Sequence, residues 1–262
     1  MNSFIVLVNK EFTQMIRDFK IIWLPLVFIL LGITQPVITY YLPTILEALG
    51  SGQGITIDPS MTNQQGGEIL AGTLASQFDQ LGIMIIAISL MGIIQTDKAN
   101  GMLAFILTRP VTVRSYVGGK IASNYIFTAF SITVGYLASY LYVNFLFTNV
   151  AVYDMLIGLL FYLVWVLFIV SFTTMISTLI NSPGLIALIS IACLIACRVI
   201  VGLNSMIDLV NPASMSKHAM EVLITGSVNS NAIGNLGVTF LCVVLAIFVT
   251  NYWISNKKFS NE

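Results

Sequence analysis

Long apolar runs separated by short polar links make up most of the chain. Six of them read as membrane crossings: 21–41, 80–95, 121–147, 155–180, 184–206 and 233–254. A crossing needs about 20 mostly apolar residues, and the second run is short by that measure. Backbone groups in hydrocarbon find no water, so each run is expected to be helical and to satisfy its own amides. The pattern predicts an all-α membrane protein with six transmembrane helices and one transmembrane domain spanning 1–262.

Three further segments have their own periodicity. In 1–20, Phe4, Ile5, Val8, Phe12, Met15 and Ile16 recur at helical spacing among Lys10, Glu11, Arg17 and Asp18. Either an amphipathic helix lying in the interface or an extension of the first crossing satisfies that pattern. Residues 42–79 are rich in Gly, Gln, Ser and Thr, with Pro43 and Pro59, and read as an irregular outer loop. In 207–232, Pro212 reads as an early helix residue, followed by Met215, Met220, Val222 and Leu223. A short re-entrant helix or helix pair fits this stretch, and so does an ordinary surface loop.

Composition agrees with the bilayer. The 262 residues are 57% hydrophobic and 8% charged, about a third of the charge of a soluble domain. Mean hydropathy is +0.93. Eleven Lys and Arg balance eleven Asp and Glu, so the basic excess of a nucleic-acid binder is missing. With the N-terminus inside, nine of the eleven basic residues fall on the cytoplasmic side; Arg198 and Lys217 are the exceptions. Both termini are then cytoplasmic, in the plasma membrane of the cell. The first 20 residues show no secretory signal pattern, so the N-terminus is expected to be retained. Cys193, Cys197 and Cys242 sit in apolar runs and read as packing residues, with no metal site.

No HExxH, GxSxG or CxxC pattern occurs, and no catalytic residue is expected. Gly118-Gly119-Lys120 is not a phosphate loop, because Ile121 follows and Arg114 stands where a glycine is required. His218 lies in an outer segment with no carboxylate expected beside it. Within the six runs the one ionisable side chain besides thiols and phenols is Arg198. It lies about 21 Å along its helix, in the outer third of the hydrocarbon, free to snorkel or to pair with an acid such as Asp208. Arginine is a poor proton carrier, which disfavours an ion-coupled carrier. Energy for transport should come from a partner.

The loop 96–120, TDKANGMLAFILTRPVTVRSYVGGK, carries five charged residues between two apolar runs. A short helix over Lys98–Leu107 would present Met102, Leu103, Phe105 and Ile106. Arg109-Pro110 should end it, because the residue before proline is pushed out of helical geometry. Thr112 is then an N-cap for a helix running through Tyr116 and Lys120 into the third crossing. A partner pushing on the short helix would move that crossing. An ordinary positive-inside loop explains the charge equally well.

The pattern Asp97-x3-Gly101-x5-Leu107-x-Arg109-Pro110-Val111-x2-Arg114-x-Tyr116-x3-Lys120 resembles the cytoplasmic loop of permease subunits of type-2 ABC exporters. The interfacial elbow helix, six crossings and re-entrant segment before the last crossing resemble that family along the whole chain. Asp97-Lys98 stands where the family often has Glu-Arg. The resemblance implies a membrane subunit with no nucleotide site and no cofactor of its own, ATP and Mg being bound by a partner ABC ATPase. It implies a coupling helix whose residues are Asp97, Gly101, Met102, Phe105, Leu107, Arg109, Pro110, Arg114, Tyr116 and Lys120. It also implies a second permease, copy or paralogue. ILLGITQPVITYYLP in the first crossing is similar to permeases of exporters for amphipathic or antimicrobial peptides such as phenol-soluble modulins. The expected function is export of an amphipathic or hydrophobic cargo. The alternative is a non-transporting membrane immunity or sensor protein that binds a toxin or peptide.

Overall fold

A computed structural model describes residues 3–50, 65–103 and 112–256. Every regular element among them is helical. In chain order they are α1 (Ser3–Arg17), α2 (Lys20–Gly50), α3 (Gly66–Gly72), a π-helical segment (Thr73–Gly82), α4 (Ile83–Leu90) and α5 (Gln95–Ala99). Then follow α6 (Val113–Leu146), α7 (Val152–Leu179), α8 (Pro183–Val199), α9 (Ser205–Val210), α10 (Ser214–Thr225) and α11 (Asn231–Asn256).

Among the described residues five spans are long and apolar enough to cross a bilayer: Lys20–Ile45, Gly66–Ala99, Val113–Leu146, Val152–Leu179 and Asn231–Asn256. α8 is shorter, with 17 residues where the run 184–206 predicts more. At 1.5 Å per residue it covers about 25 Å of a hydrocarbon core about 30 Å thick. Its chain leaves the helix through Gly202, whose left-handed φ of 91° turns it back.

The second span departs most from expectation. The reading of 80–95 as a crossing preceded by an irregular loop over 42–79 is corrected at both ends of that loop: α2 runs on to Gly50, and the second span begins at Gly66 and extends over 34 residues to Ala99, while 51–64 lie outside the described residues. Ile69, Leu70, Leu74 and Phe78 are buried along it, spaced for one helix face. Interleaved Gly, Thr, Ser and Gln diluted the apolar run. The ladder breaks near Met91, and α7 repairs it. Ser177 Oγ accepts from the Ile94 and Gln95 N–H groups (3.2 and 3.1 Å) and donates to the Met91 carbonyl (3.2 Å). A hydroxyl thus replaces the missing backbone partners, as buried amides require.

α2 and α6 form the tightest pair. A Cβ on Gly32 would overlap the Gly135 carbonyl, and one on Gly135 would overlap the Phe28 carbonyl. Such mutual small-residue contact is how membrane helices approach closely. Phe28, thereby fixed, meets Phe78 edge-on at 5.4 Å between ring centroids. α1 lies against the first turns of α6: Phe4 packs near Gly118, and Leu7 and Val8 pack near Gly119. Between α1 and α2 the chain turns at Phe19, whose φ of 52° is unusual for a side-chain-bearing residue.

The bundle has two ends. The proximal end carries α1, the start of α2, α5, the start of α6 and the close of α11. The distal end carries α9, α10 and the α6–α7 link. α10 is not an exposed surface loop. Met215, Ala219, Val222 and Leu223 are buried in it, the Leu223 carbonyl sits against Gly67, and the Ala219 carbonyl against Gly158. Pro212 precedes this helix and is not its first turn, which starts at Ser214.

Gly135→Ala is expected to lower detergent-solubilised stability by about 1–3 kcal/mol through overpacking, and Gly237→Ala, where a Cβ meets open space, to be neutral or stabilising by up to about 1 kcal/mol. Thermal unfolding of both purified variants measures it. Equal effects at the two positions would contradict the close α2–α6 approach.

Candidate functional site

At the proximal end one ammonium organises three helices. Lys120, on the second turn of α6, lies 3.0 Å from Glu11 Oε1 on α1 and 3.0 Å from Asp97 Oδ2 on α5. The Tyr116 hydroxyl, one turn earlier on α6, donates to the same Asp97 oxygen at 2.7 Å. All four side chains are buried, with Lys120 only 4% exposed. Charges that far from water persist only when paired and hydrogen-bonded, so each group requires the others. The helical spacing of Tyr116 and Lys120 puts both on one face of α6, opposite α5.

Lys98, the next residue after Asp97, points the other way. Its ammonium donates to the Thr178 and Ile180 carbonyls (3.0 and 2.8 Å) and to Asn181 Oδ1 (3.1 Å). It thereby caps the C-terminal end of α7, where unpaired carbonyls and the helix dipole favour a cation. The dipeptide Asp97-Lys98 therefore pins α5 to α6 on one side and α7 on the other. A second lysine extends the network: Lys20 Nζ donates to the Ser89 carbonyl and to Asn124 Oδ1 (3.0 and 3.3 Å). Asn124 Nδ2 in turn donates to the Lys120 carbonyl at 2.9 Å.

The expected helix over Lys98–Leu107 is corrected at its start. α5 already includes Lys98 and ends at Ala99, and Gly101 turns the chain with a φ of 67°, after which helical geometry resumes at Met102. Phe105, Leu107, Arg109 and Pro110 lie outside the described residues. Met102 is exposed and its sulfur meets Lys10 Nζ at 3.1 Å. Thr112 caps α6, its hydroxyl accepting from the Ser115 N–H at 3.2 Å. Arg114 is separate from the Lys120 cluster and lines a groove beside α11. An open cleft of about 490 Å³ lies between α1 and α5, lined by Lys10, Thr13, Gln14, Arg17, Asp18, Thr96, Asp97, Asn100 and Met102. Glu11 as a partner of Lys120 was missed by sequence reading. A buried acid on the apolar face of an amphipathic helix was the available signal.

The distal end holds a second charge cluster. Arg198 Nε donates to Asp79 Oδ2 at 2.5 Å, and the Ser216 hydroxyl donates to the same oxygen. Two expectations are corrected here. Arg198 pairs with Asp79 and not with Asp208, and the spans do contain an interior acid, because Asp79 lies inside Gly66–Ala99. Asp79 is fully buried in the π-helical segment, with Tyr162 beside it. The cluster ties the second span to α8 and α10. Asp208 pairs with Lys217 at 2.8 Å. Burial raises the Asp208 carboxyl, but the Gly202 N–H and the Lys217 ammonium outweigh that and hold it below its ordinary value. His218 does have a near carboxylate, Glu221 Oε2 at 3.3 Å, which corrects the contrary expectation. Among the described residues no group of three or more His, Cys, Asp and Glu is placed to hold a metal ion.

Residues 5–254 match the family model described as "ABC-2 family transporter protein". The chain is also 32% identical over 250 residues to an uncharacterized transmembrane protein, YxlG, of Bacillus subtilis (strain 168), covering 95% of this chain and 96% of that protein.

Lys120→Met is expected to destabilise by about 3–5 kcal/mol, because it strands two buried carboxylates. Adding Glu11→Gln and Asp97→Asn should recover most of that loss. Thermal unfolding of the single and triple variants decides it. A triple variant less stable than the single would show that the three charges are independent.

Proposed function

The chain belongs to the ABC-2 transporter family and is a multi-pass membrane permease, and from that premise we propose that it is the membrane subunit of an ATP-driven exporter worked by a separate ABC ATPase. The observation that carries the reading is the Lys120 cluster, whose Asp97 lines the α1–α5 cleft. The cleft offers Lys10, Arg17 and Asn100 to a partner, and Asp97 lines it while paired to α6. A rigid body seated there would push α1, α5 and α6 together, because their buried charges cannot separate without large desolvation cost. The second and third crossings would move as a unit, and Lys98 would carry the motion to α7.

In this reading the proximal end faces the cytoplasm, in keeping with the positive-inside distribution. α8 serves as the fifth of six crossings. Its missing length in the outer leaflet is made up by the α9–α10 hairpin, which Asn235 Nδ2 anchors through the carbonyls of Asp208, Leu209 and Asn211 (2.9, 3.0 and 2.9 Å). α1 is the interfacial elbow, with Ile5 and Ile16 exposed on the side away from α6. A second permease, copy or paralogue, would complete the path. The cargo is amphipathic or hydrophobic, peptides of the cytolytic or antimicrobial kind included. Arg198, the cation embedded at the distal end, is neutralised by Asp79, which suits an apolar path better than an ionic one.

Co-expression with a candidate ABC ATPase tests this. The wild-type chain should retain the ATPase through purification, and Lys10→Glu with Arg17→Glu should cut the retained amount about tenfold, about 1.4 kcal/mol, with membrane insertion unchanged. Recovery of the chain without any ATPase would favour the immunity or sensor alternative. Retention unaffected by the double variant would remove the cleft from the docking surface.

A further inference from the structure

Arg114 is exposed on the first turn of α6 and forms no ion pair among the described residues. It opens onto a groove of about 380 Å³ between the start of α6 and the last three turns of α11. Val113, Val244, Ile247 and Phe248 give this groove apolar walls, and Asn251, Tyr252 and Ser255 give it a polar rim near Arg114. Phe248 and Tyr252, one turn apart, stack at 6.4 Å with their planes 19° apart and form a flat aromatic side. Beyond the groove, Leu241 continues the exposed apolar face of α11 that Val244 begins, so a cationic mouth adjoins apolar surface on the outside of the bundle.

We propose that this groove is a binding site for one anionic glycerophospholipid, its phosphate at Arg114 and an acyl chain along Val244 and Phe248. Shape and charge both select that occupant. An extended peptide docking here would place its backbone against apolar walls with nothing to pair its amides, whereas an acyl chain has no such groups. The guanidinium fork matches phosphate oxygens two at a time, and it is less strongly hydrated than an ammonium, so it suits a partly apolar mouth. Tyr252 at the rim is an aromatic with one wet edge, as membrane interfaces favour. The positive end of α6, a 34-residue helix, lies at the same mouth and adds to the attraction for an anion. Basic sites between crossings on the cytoplasmic side are suited to anionic headgroups. The choice of the inner leaflet rests on the orientation given above; the choice of ligand does not.

The bound lipid would bridge α6 and α11 at the end of α6 that the Lys120 cluster controls. Closing or opening the groove would then change with the position of the third crossing, so lipid occupancy would report on that crossing.

Native mass spectrometry of the detergent-purified chain, with palmitoyl-oleoyl phosphatidylglycerol or palmitoyl-oleoyl phosphatidylcholine added separately, reads the site. The wild type should bind one phosphatidylglycerol about fivefold more tightly than phosphatidylcholine. Arg114→Gln should erase that preference, while Arg17→Gln, on the α1 cleft, should leave it intact. Added inorganic phosphate should not displace the lipid, because it lacks the acyl chain; displacement would mark a free-phosphate site and overturn the lipid assignment. Equal affinity for the two lipids, or a preference that survives Arg114→Gln, would also overturn it. The wild-type and Arg17→Gln chains report on the lipid whether or not an ATPase binds, so failure here is separate from failure of the docking reading.

Discussion

An ammonium buried at the edge of a hydrocarbon bundle must have oxygen partners, and Lys120 draws carboxylates from two different helices. That requirement fixes the proximal end. Glu11 comes from α1 and Asp97 from α5, and both reach one atom on α6. The gain in net stability from such a cluster is small, because desolvation offsets attraction. Its effect is on arrangement: any relative movement of the three helices would leave a charge uncompensated. Tyr116 reinforces the fixed point by donating to the oxygen that Lys120 already uses. Lys98 then holds the same five-residue helix to the end of α7, so the break in the second span near Met91 becomes a jointed but clamped element.

The distal end is built by the same rule with different parts. Asp79 and Arg198 neutralise each other between the second span and α8, and Ser216 brings α10 to the pair. Asp79 stands in a π-helical stretch, a geometry that widens the helix and often marks functional positions. The two clusters therefore sit on the same span, Asp79 toward one end and Asp97 toward the other, with buried Ile83, Ile86, Ala87 and Leu90 between them. In the proposed mechanism a push on Asp97 would pass along a span whose far part is held by Arg198. Tight packing between the clusters makes that segment a poor absorber of strain.

Apolar runs made the helical class and most crossings legible in the sequence. The start of the second span was not, because Gly66–Phe78 mixes buried Ile, Leu and Phe with Gly, Thr, Ser and Gln, and a continuous apolar run is the wrong template for a span shielded by neighbours. That one boundary hid Asp79 in a supposed loop and left Arg198 to snorkel or to pair with an acid such as Asp208, when its partner is Asp79. The break after Lys98 was hidden for another reason: Gly101 ends α5 in a left-handed turn, while the apolar pattern of Met102–Ile106 invites a continuous helix through it. The residues of the proximal cluster were partly legible. Asp97, Tyr116 and Lys120 stood in a motif, but their meeting depends on the packing of α5 against α6, and Glu11, on the apolar face of α1, depends on which helix that face meets. Asp97-Lys98 shows what geometry added, since two adjacent charges serve two different helices.

The central claim is that α1, α5 and the start of α6 move as one body. Pulsed electron spin resonance between labels at Asn9→Cys and Ala99→Cys measures it, in a chain whose Cys193, Cys197 and Cys242 are replaced by serine, reconstituted with its ATPase. Both positions are exposed, and neither lines the cleft. The distance between the labels is predicted to stay the same, and its distribution narrow, whether ATP is absent or bound without hydrolysis, and to broaden when Lys120→Met is introduced. A shift of the wild-type distance on ATP binding would mean that the elements slide past one another and that the buried ammonium does not join them.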